Sequence, residues 1–503
     1  MSYFSIFQRI NNLIFMRYFL TSIFLIFTIV LSFSQVKPTE LPFAKVFEDF
    51  VKHEDFKNAS IGLIAMDFEN GEILGNYNSH LSLTPASILK IVTTATALEI
   101  LGAKTQFKTS LYYKGEIDSN KVLHGDLIII GGGDPALGSE IFDKIYNKPY
   151  FFSTWADSIK KLGIDSIDGF IIGDDSYFNN IDVPSTWIWG DMGNYYGAFA
   201  SGLSIFENTY KIKFEPEDST GANAKISEIV PKINSLIIEN EVTISDTNKD
   251  LAYIYGAPYQ NERKIEGTIP KHKNEFIVKG SIPNPAEVAL NEIKSELNKI
   301  NVICNKGTKI EKIITDSLLH FITEIKSPTV EEIVKITNLR SHNLFAEHLA
   351  LQVGKARNKN LNYNIAVNTI VEFWKSKNIE TSGMSLYDGS GLSRYNIITP
   401  KQMADVLFYM KNSKNYSSFY SSLPTAGESG TLSGMCKNSI AKGRVNAKSG
   451  YITRVRNYAG YMTSISGKKI IFVVMLNNFN CSAADSKNHV EKLFDKMVTV
   501  PIH

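Results

Sequence analysis

Between residues 83 and 102 the chain is apolar at almost every second or third position. Ile88, Ile91, Val92, Ala95, Leu98 and Leu101 leave almost no polar face, which predicts a helix buried in a core. Its ends are marked by Thr84 as an N-cap, Pro85 at the first helical position and Gly102 past the last turn. Ahead of it, after a polar lead-in, Ala59 to Asp67 and Ile73 to Tyr77 read as two strands around Glu69-Asn70-Gly71, a hairpin. Beyond it the period drops to two. Phe107, Thr109, Leu111 and Tyr113 alternate with polar residues, and Leu127-Ile128-Ile129-Ile130 runs into Gly131-Gly132-Gly133-Asp134-Pro135.

A short helix near Thr154–Leu162, a strand at Gly169–Gly173 and strands from Ile226 to Gly280 continue this block. Pro285 to Ile300 is amphipathic, and a strand at Val302-Ile303 follows it. Helical patterns then return: one opened by Ser327-Pro328 and reaching about Thr337, one from Asn343 to Val353, and one capped by Thr399-Pro400 through Met410. Val445–Lys448, Tyr458–Thr463 and Lys469–Leu476 read as strands, and Asp485 to Val498 as a final helix. A mixed block, a β-rich block and a second mixed block suggest an insertion. Residues 36–104 plus 322–503 are expected to form one α/β (α+β) domain interrupted by residues 105–321, with no internal repeat.

Composition narrows the class. The 503 residues are 44% hydrophobic and 21% charged with a net charge of +2, ordinary for a globular protein. No basic stripe invites nucleic acid. Residues 1–34 hold Arg9 and Arg17 and no acid, with an apolar run from Tyr18 to Phe33 and small residues in Ser32-Phe33-Ser34, which reads as a cleaved signal peptide. Met16 offers a second start. A loose membrane association is compatible with the same segment. Cys304, Cys436 and Cys481 are far apart and form no C-x-x-C or disulfide framework, and no H-E-x-x-H occurs, so neither metal nor cofactor is expected. The glycine run at 131–133 lacks the G-K-[ST] ending of a phosphate loop.

The buried helix carries the chemistry. It places a hydroxyl, Ser87, three residues before an amine, Lys90, on one face. Burial lowers an amine pKa, so Lys90 would serve as a base beside a nucleophile at a helix start that favours an oxyanion. Two later stretches complete a set. Asn338 to Glu347 contains Ser341-His342-Asn343, a hydroxyl able to relay protons and an amide able to orient a carbonyl and a lysine. Ala447-Lys448-Ser449-Gly450 leaves a strand with a cation and hydroxyl for a carboxylate, and a glycine that lets a substrate backbone approach.

S-x-x-K, S-x-N and K-[ST]-G in that order are the pattern of penicillin-binding proteins and related β-lactamases. The chain resembles the class C low-molecular-mass penicillin-binding proteins, the D-alanyl-D-alanine carboxypeptidase/endopeptidase family. Gly131 to Leu137, Asp388 to Arg394, Leu423 to Gly427 and the gap of about 250 residues between Ser87 and Ser341 are similar to that family as well. The resemblance implies a transpeptidase/β-lactamase-like domain of antiparallel sheet and helices, interrupted by a large β-rich insertion. It implies Ser87 as nucleophile, Lys90 as base, and Ser341 and Asn343 in the proton network. Lys448 and Ser449 would hold the terminal carboxylate of a D-Ala-D-Ala stem peptide or a β-lactam, and Ser449 stands where threonine is commoner. The oxyanion would meet the Ser87 N–H and one after Gly450, near Ile452. The implied partners are peptidoglycan and β-lactam inhibitors, and the implied address is the bacterial periplasm. A β-lactamase or esterase with the same residues, and a non-catalytic wall-binding scaffold, are the alternatives. A Ser-His-Asp hydrolase is disfavoured because no G-x-S-x-G occurs.

Overall fold

The computed structural model describes residues 41–146, 151–179, 183–272, 274–314 and 318–502; the expected signal peptide at 1–34 lies outside them. The chain begins with helix α1 (Ala44–Val51), the hairpin β1 (Ser60–Asp67) and β2 (Ile73–Tyr77), and helix α2 (Leu89–Leu101). A β-rich stretch follows: β3 (Lys108–Ile117), β4 (Val122–Ile130), α3 (Phe151–Lys161), β5 (Ser166–Ile167), β6 (Ile171–Asp174), β7 (Thr209–Phe214), β8 (Ile226–Val230) and β9 (Ile237–Ser245). It continues through β10 (Tyr253–Tyr255), β11 (Glu262–Pro270), β12 (Phe276–Ser281), α4 (Pro285–Lys299), β13 (Ile303–Cys304), β14 (Thr308–Ile310) and β15 (Leu319–Lys326). Helices α5 (Val330–Leu339), α6 (Asn343–Arg357), α7 (Tyr363–Lys375) and α8 (Pro400–Lys411) lead to β16 (Val445–Ile452), β17 (Val455–Thr463), β18 (Lys469–Asn477) and α9 (Ala483–Thr499).

The two ends of the chain build one antiparallel sheet in the order β16-β17-β18-β1-β2. Its centre is covered on both sides, and the alternation of side chains divides its residues between two cores. Ile471, Val473 and Met475 of β18 join Ile64, Met66 and the α2 residues on one face. Ile470, Phe472, Val474 and Leu476 meet Phe43 and Phe47 near α1 and Val490 and Phe494 of α9 on the other. This is why β18 reads as an unbroken apolar run rather than an alternating one.

The intervening stretch forms a sheet β13-β5-β4-β3-β15, joined by β6 and β14, and two three-stranded sheets, β12-β7-β8 and β10-β11-β9. The change of region expected at residue 322 falls inside β15. That strand pairs with β3 from Leu319 to Lys326, so the chain leaves the sheet only after Lys326.

Three local expectations are corrected. Thr84 does not cap α2. Its hydroxyl reaches the Arg394 carbonyl at 3.4 Å, while Asn457 Nδ2 donates to the carbonyls of Thr84 (2.8 Å) and Pro85 (2.7 Å). The helix therefore starts with a 3-10 turn, Ala86–Ile88, and becomes α-helical at Leu89. The helix expected from Ser327-Pro328 begins at Val330, with Thr329 and Glu332 in a capping box. Ser327 instead accepts from the Phe107 N–H at 2.8 Å, tying α5 to the start of β3. Helices α1 and α7 were not expected. Each is set by a few buried anchors: Phe47 and Phe50 in α1, and Ala366, Val367, Ile370 and Trp374 in α7 behind the Asn362 cap.

Candidate active site

Leu89 to Leu98 of α2 are all buried, and within that run sits a charged-type side chain, Lys90, with no exposed surface. Its Nζ lies 3.0 Å from Ser87 Oγ, 2.7 Å from Asn343 Oδ1 and 2.6 Å from the Ser390 carbonyl; an ammonium donates to all three, and a neutral amine donates to Asn343 and Ser390 and accepts the Ser87 hydroxyl on its lone pair. Burial drives its pKa down to about 7, although the nearby carboxylates of Asp388 and Glu347 pull the other way. A lysine poised there loses its proton to solvent easily and can take one from a hydroxyl.

Asn343 is held from both sides. Its oxygen meets Lys90, and its Nδ2 donates to the Tyr196 carbonyl, 2.8 Å away in the β-rich region. Ser341 precedes it in the left-handed region (φ +56°), in the turn between α5 and α6. That turn aims Ser341 Oγ at Lys448 Nζ (2.9 Å), so Ser341 is joined to Lys448 and Asn343 to Lys90. Lys448 is also fully buried. Its amine pKa is pushed well below normal by burial first and by the charge of Lys90 second, and it further donates to the Ser449 carbonyl at 2.6 Å. Ser449 Oγ is 2.8 Å from Thr431 Oγ1.

Strand β16 runs past the Ser87 turn at Gly450. A Cβ on Gly450 would lie 2.7 Å from the Pro85 carbonyl oxygen and 3.0 Å from the N atoms of Ser87 and Ile88, so only glycine permits this approach. The edge of β16 bears on which N–H near Ile452 is available. Ala447 donates outward to the Pro424 carbonyl, and the Val445 carbonyl accepts outward from Ala426. Alternation then turns the Ser449 and Tyr451 N–H groups to the open edge and the Ile452 N–H into the ladder with β17, where Ile452 pairs with Val455. Ile452 remains in the cleft through its side of the lining, but Tyr451 has the available N–H.

Behind Lys90 lies a group of residues to which the sequence reading assigned no role. Glu347, one turn after Asn343 on α6, accepts from Ser390 N–H (2.8 Å) and Gly389 N–H (3.0 Å). Burial and the charge of Asp388 raise its pKa. Asp388 accepts from the Gly391, Ser393, Asn396 and Trp187 donors at 2.6–2.9 Å. Gly391, at φ +82°, packs against the Ala86 carbonyl, where a Cβ would come within 2.0 Å. The spacing of Glu347 four residues after Asn343 was the available signal, since i and i+4 share a helix face.

These groups open into a cleft of about 970 Å³. One wall is Ser87, Ser341, Asn343, Leu392 and Tyr451; the other comes from the β-rich region, including Asp191, Tyr195, Tyr196 and Tyr253. Tyr195 and Tyr196 line the cleft from that region. Trp187 is buried with its indole N–H on Asp388, and Trp189 lies tilted against Tyr255 with ring centroids 4.7 Å apart. Cys304, Cys436 and Cys481 are unpaired.

Residues 44–498 match the model of the D-Ala-D-Ala carboxypeptidase 3 (S13) family. The chain is 26% identical to the D-alanyl-D-alanine carboxypeptidase DacB of Haemophilus influenzae over 86% of this chain and 88% of that protein. It is 24% identical to the D-alanyl-D-alanine carboxypeptidase of an Actinomadura strain, over 83% of this chain and 78% of that one. The crystal structure of penicillin binding protein 4 from Haemophilus influenzae superposes with a TM-score of 0.76 at 24% identity, covering 90% of this chain and 98% of the other.

Proposed function

The chain belongs to the D-Ala-D-Ala carboxypeptidase 3 (S13) family, and from that premise we propose that Ser87 is the nucleophile of this serine-type D-Ala-D-Ala carboxypeptidase. The observation that carries the assignment is Lys90 Nζ, buried and bonded at once to Ser87 Oγ and Asn343 Oδ1.

Neutral Lys90 takes the Ser87 proton as Oγ attacks the carbonyl carbon of the penultimate D-alanine. The oxyanion that forms is met by the N–H groups of Ser87 and Tyr451, a reading supported by the close approach of Gly450 to the Ser87 turn and by the open edge of β16. Lys448 and Ser449, with Thr431 beside it, bind the terminal carboxylate, whose charge restores the ammonium form of Lys448. The proton that Lys90 took is passed on to the departing amine, with Ser341, bonded to Lys448, as the relay, which leaves Lys90 neutral again. The C–N bond breaks, D-alanine leaves, and water activated by Lys90 hydrolyses the ester on Ser87. In a cross-linked substrate the leaving amine belongs to the neighbouring stem peptide, giving endopeptidase cleavage at the same site.

A β-lactam enters by the same attack and leaves Ser87 acylated. Neither a β-lactamase nor a non-catalytic scaffold is favoured by the family membership. The enzyme is a cell-wall hydrolase, and the export segment at 1–34 supports a periplasmic address; no helix among the described residues is long and apolar enough to cross a membrane. Residues 105–326 act in substrate selection, a reading supported by their tyrosines across the cleft from Ser87. The test is reaction with labelled penicillin followed by peptide mapping. One adduct on Ser87 is expected, and an adduct elsewhere, or none on folded protein, overturns the assignment.

A further inference from the structure

On the far side of the five-stranded sheet from α2, the segment after α1 meets the last helix. His53 caps a 3-10 turn (Glu54–Phe56), and His489 projects from the second turn of α9. The two imidazoles lie with ring centroids 4.0 Å apart and planes at 53°. Asp55 stands between their nitrogens: Oδ2 is 2.7 Å from His489 Nε2 and 3.7 Å from His53 Nδ1. One donor atom from each residue lies within 4.8 Å of the other two.

We propose that His53, Asp55 and His489 form a binding site for a divalent transition metal, of which zinc is the best fit, clamping the N-terminal segment to helix α9. The donor set is two imidazoles and one carboxylate, which suits zinc and its neighbours rather than magnesium or calcium. Zinc bonds of about 2.0–2.2 Å in a tetrahedron put ligand atoms about 3.3 Å apart, and the two separations given above straddle that value. Small rotations of three side chains would equalise them.

The lone pairs give a second reason. His53 Nδ1 accepts the Asp55 backbone N–H at 3.2 Å, so it carries no proton to offer the carboxylate it faces. Two acceptors, a ring nitrogen and a carboxylate oxygen, thus confront each other beside His489. A cation turns that repulsion into attraction; the long cap bond is what Nδ1 would exchange for it. Access is open, with His53 and Asp55 side chains 47% and 40% exposed and His489 15% exposed, leaving room for water in the remaining position. Phe56, edge-on to His489 at 5.1 Å and itself buried, holds the ring in place from below. Among the described residues this is the one such group, and it lies apart from the catalytic cleft. Its role is therefore structural: a metal bound there stabilises the folded chain by mass action.

The experiment uses the mature, tag-free chain, stripped with chelator and dialysed against Zn²⁺ or Co²⁺ at neutral pH. One metal per chain is expected, together with a higher thermal midpoint in Zn²⁺ and visible d–d absorption of four- or five-coordinate Co²⁺. His489→Gln and Asp55→Asn should each weaken binding on the order of 100-fold, the upper end of what the loss of mere supporting partners costs at metal sites. Penicillin acylation checks that both variants fold, and His53→Gln replaces either one that does not. Absence of saturable binding, or binding equally tight in the variants, overturns the proposal.

Discussion

Lys90 and Lys448 are both buried lysines with depressed pKa values, yet their partners differ, and so should the consequences of losing them. Lys90 touches Ser87, the proposed nucleophile. Replacing it with alanine should slow penicillin acylation on the order of 10²–10⁴-fold, measured by stopped-flow or quenched-gel kinetics. The pH profile follows from the same environment. Burial sets the Lys90 pKa at about 7, and only the neutral amine can accept the Ser87 proton. The acylation rate should therefore be level above that value and fall about tenfold per unit of pH below it. A flat profile across neutrality would remove Lys90 as the base. Lys448→Ala should harm substrates with a free C-terminal carboxylate more than cross-linked substrates whose carboxylate lies elsewhere, read as kcat/KM on a stem peptide against a purified cross-linked dimer. Equal losses on both would refute that division. Ser87, Lys90, Ser341, Asn343, Lys448 and Ser449 could all be picked from the chain because each lies in a short motif. Glu347 was signalled only by its spacing from Asn343, and Asp388 not at all, since an acid in a helix or loop reads as a solvated charge until its burial is known.

At the scale of elements, the catalytic turn is held by contacts that local sequence does not announce. Thr84 and Pro85 look like a helix start, but Asn457 of β17 takes their carbonyls and the α-helix begins four residues later than the cap predicts. Gly450 and Gly391 press the same turn from two sides. Gly450→Ala should block acylation by pushing β16 away from the Ser87 N–H, and an acylation rate near wild type would sink this account of the oxyanion site. Trp187 is a second such contact. Its indole N–H is 2.9 Å from Asp388 Oδ2, so the β-rich region buttresses the loop whose Ser390 carbonyl holds Lys90. Trp187→Phe keeps most of the ring and removes that bond, at a cost of about 1–3 kcal/mol, visible as a lower thermal midpoint together with slower acylation. Strong periodicity made the β1–β2 hairpin, α4, α8, β16–β18 and α9 legible in advance. Helix α1 is short and set by Phe47 and Phe50, whereas α7 carries a helical stripe, Tyr363, Ala366, Val367, Ile370 and Trp374, that the sequence reading passed over.

For the whole molecule, the cleft is made by two regions of the chain, and they should be separable in function. Tyr195 and Tyr253 are 57% and 47% exposed and face the cleft from the β-rich region. Replacing both with serine should leave penicillin acylation within about threefold, because that small ligand needs only the motif residues, and should lower turnover of polymeric peptidoglycan about tenfold or more, since aromatic contacts of this size dominate interface energies. Chromatography of muropeptides released from intact sacculi reads the second quantity; parallel loss of both activities, or of neither, would end the idea of a substrate-selecting region. The sequence by itself determined the reaction class, because a hydroxyl–amine pair at helical spacing and two further short motifs in fixed order are local patterns that survive without coordinates. The β-rich period between two mixed blocks also suggests an interrupted layout. Only the tertiary structure decided which groups touch: Ser341 with Lys448, Asn343 with Lys90, Tyr451 rather than Ile452 at the open edge, and His53 beside His489. Those pairings join residues up to several hundred positions apart, and burial, strand alternation and chain return, which set them, are properties of the packed chain and of no segment within it.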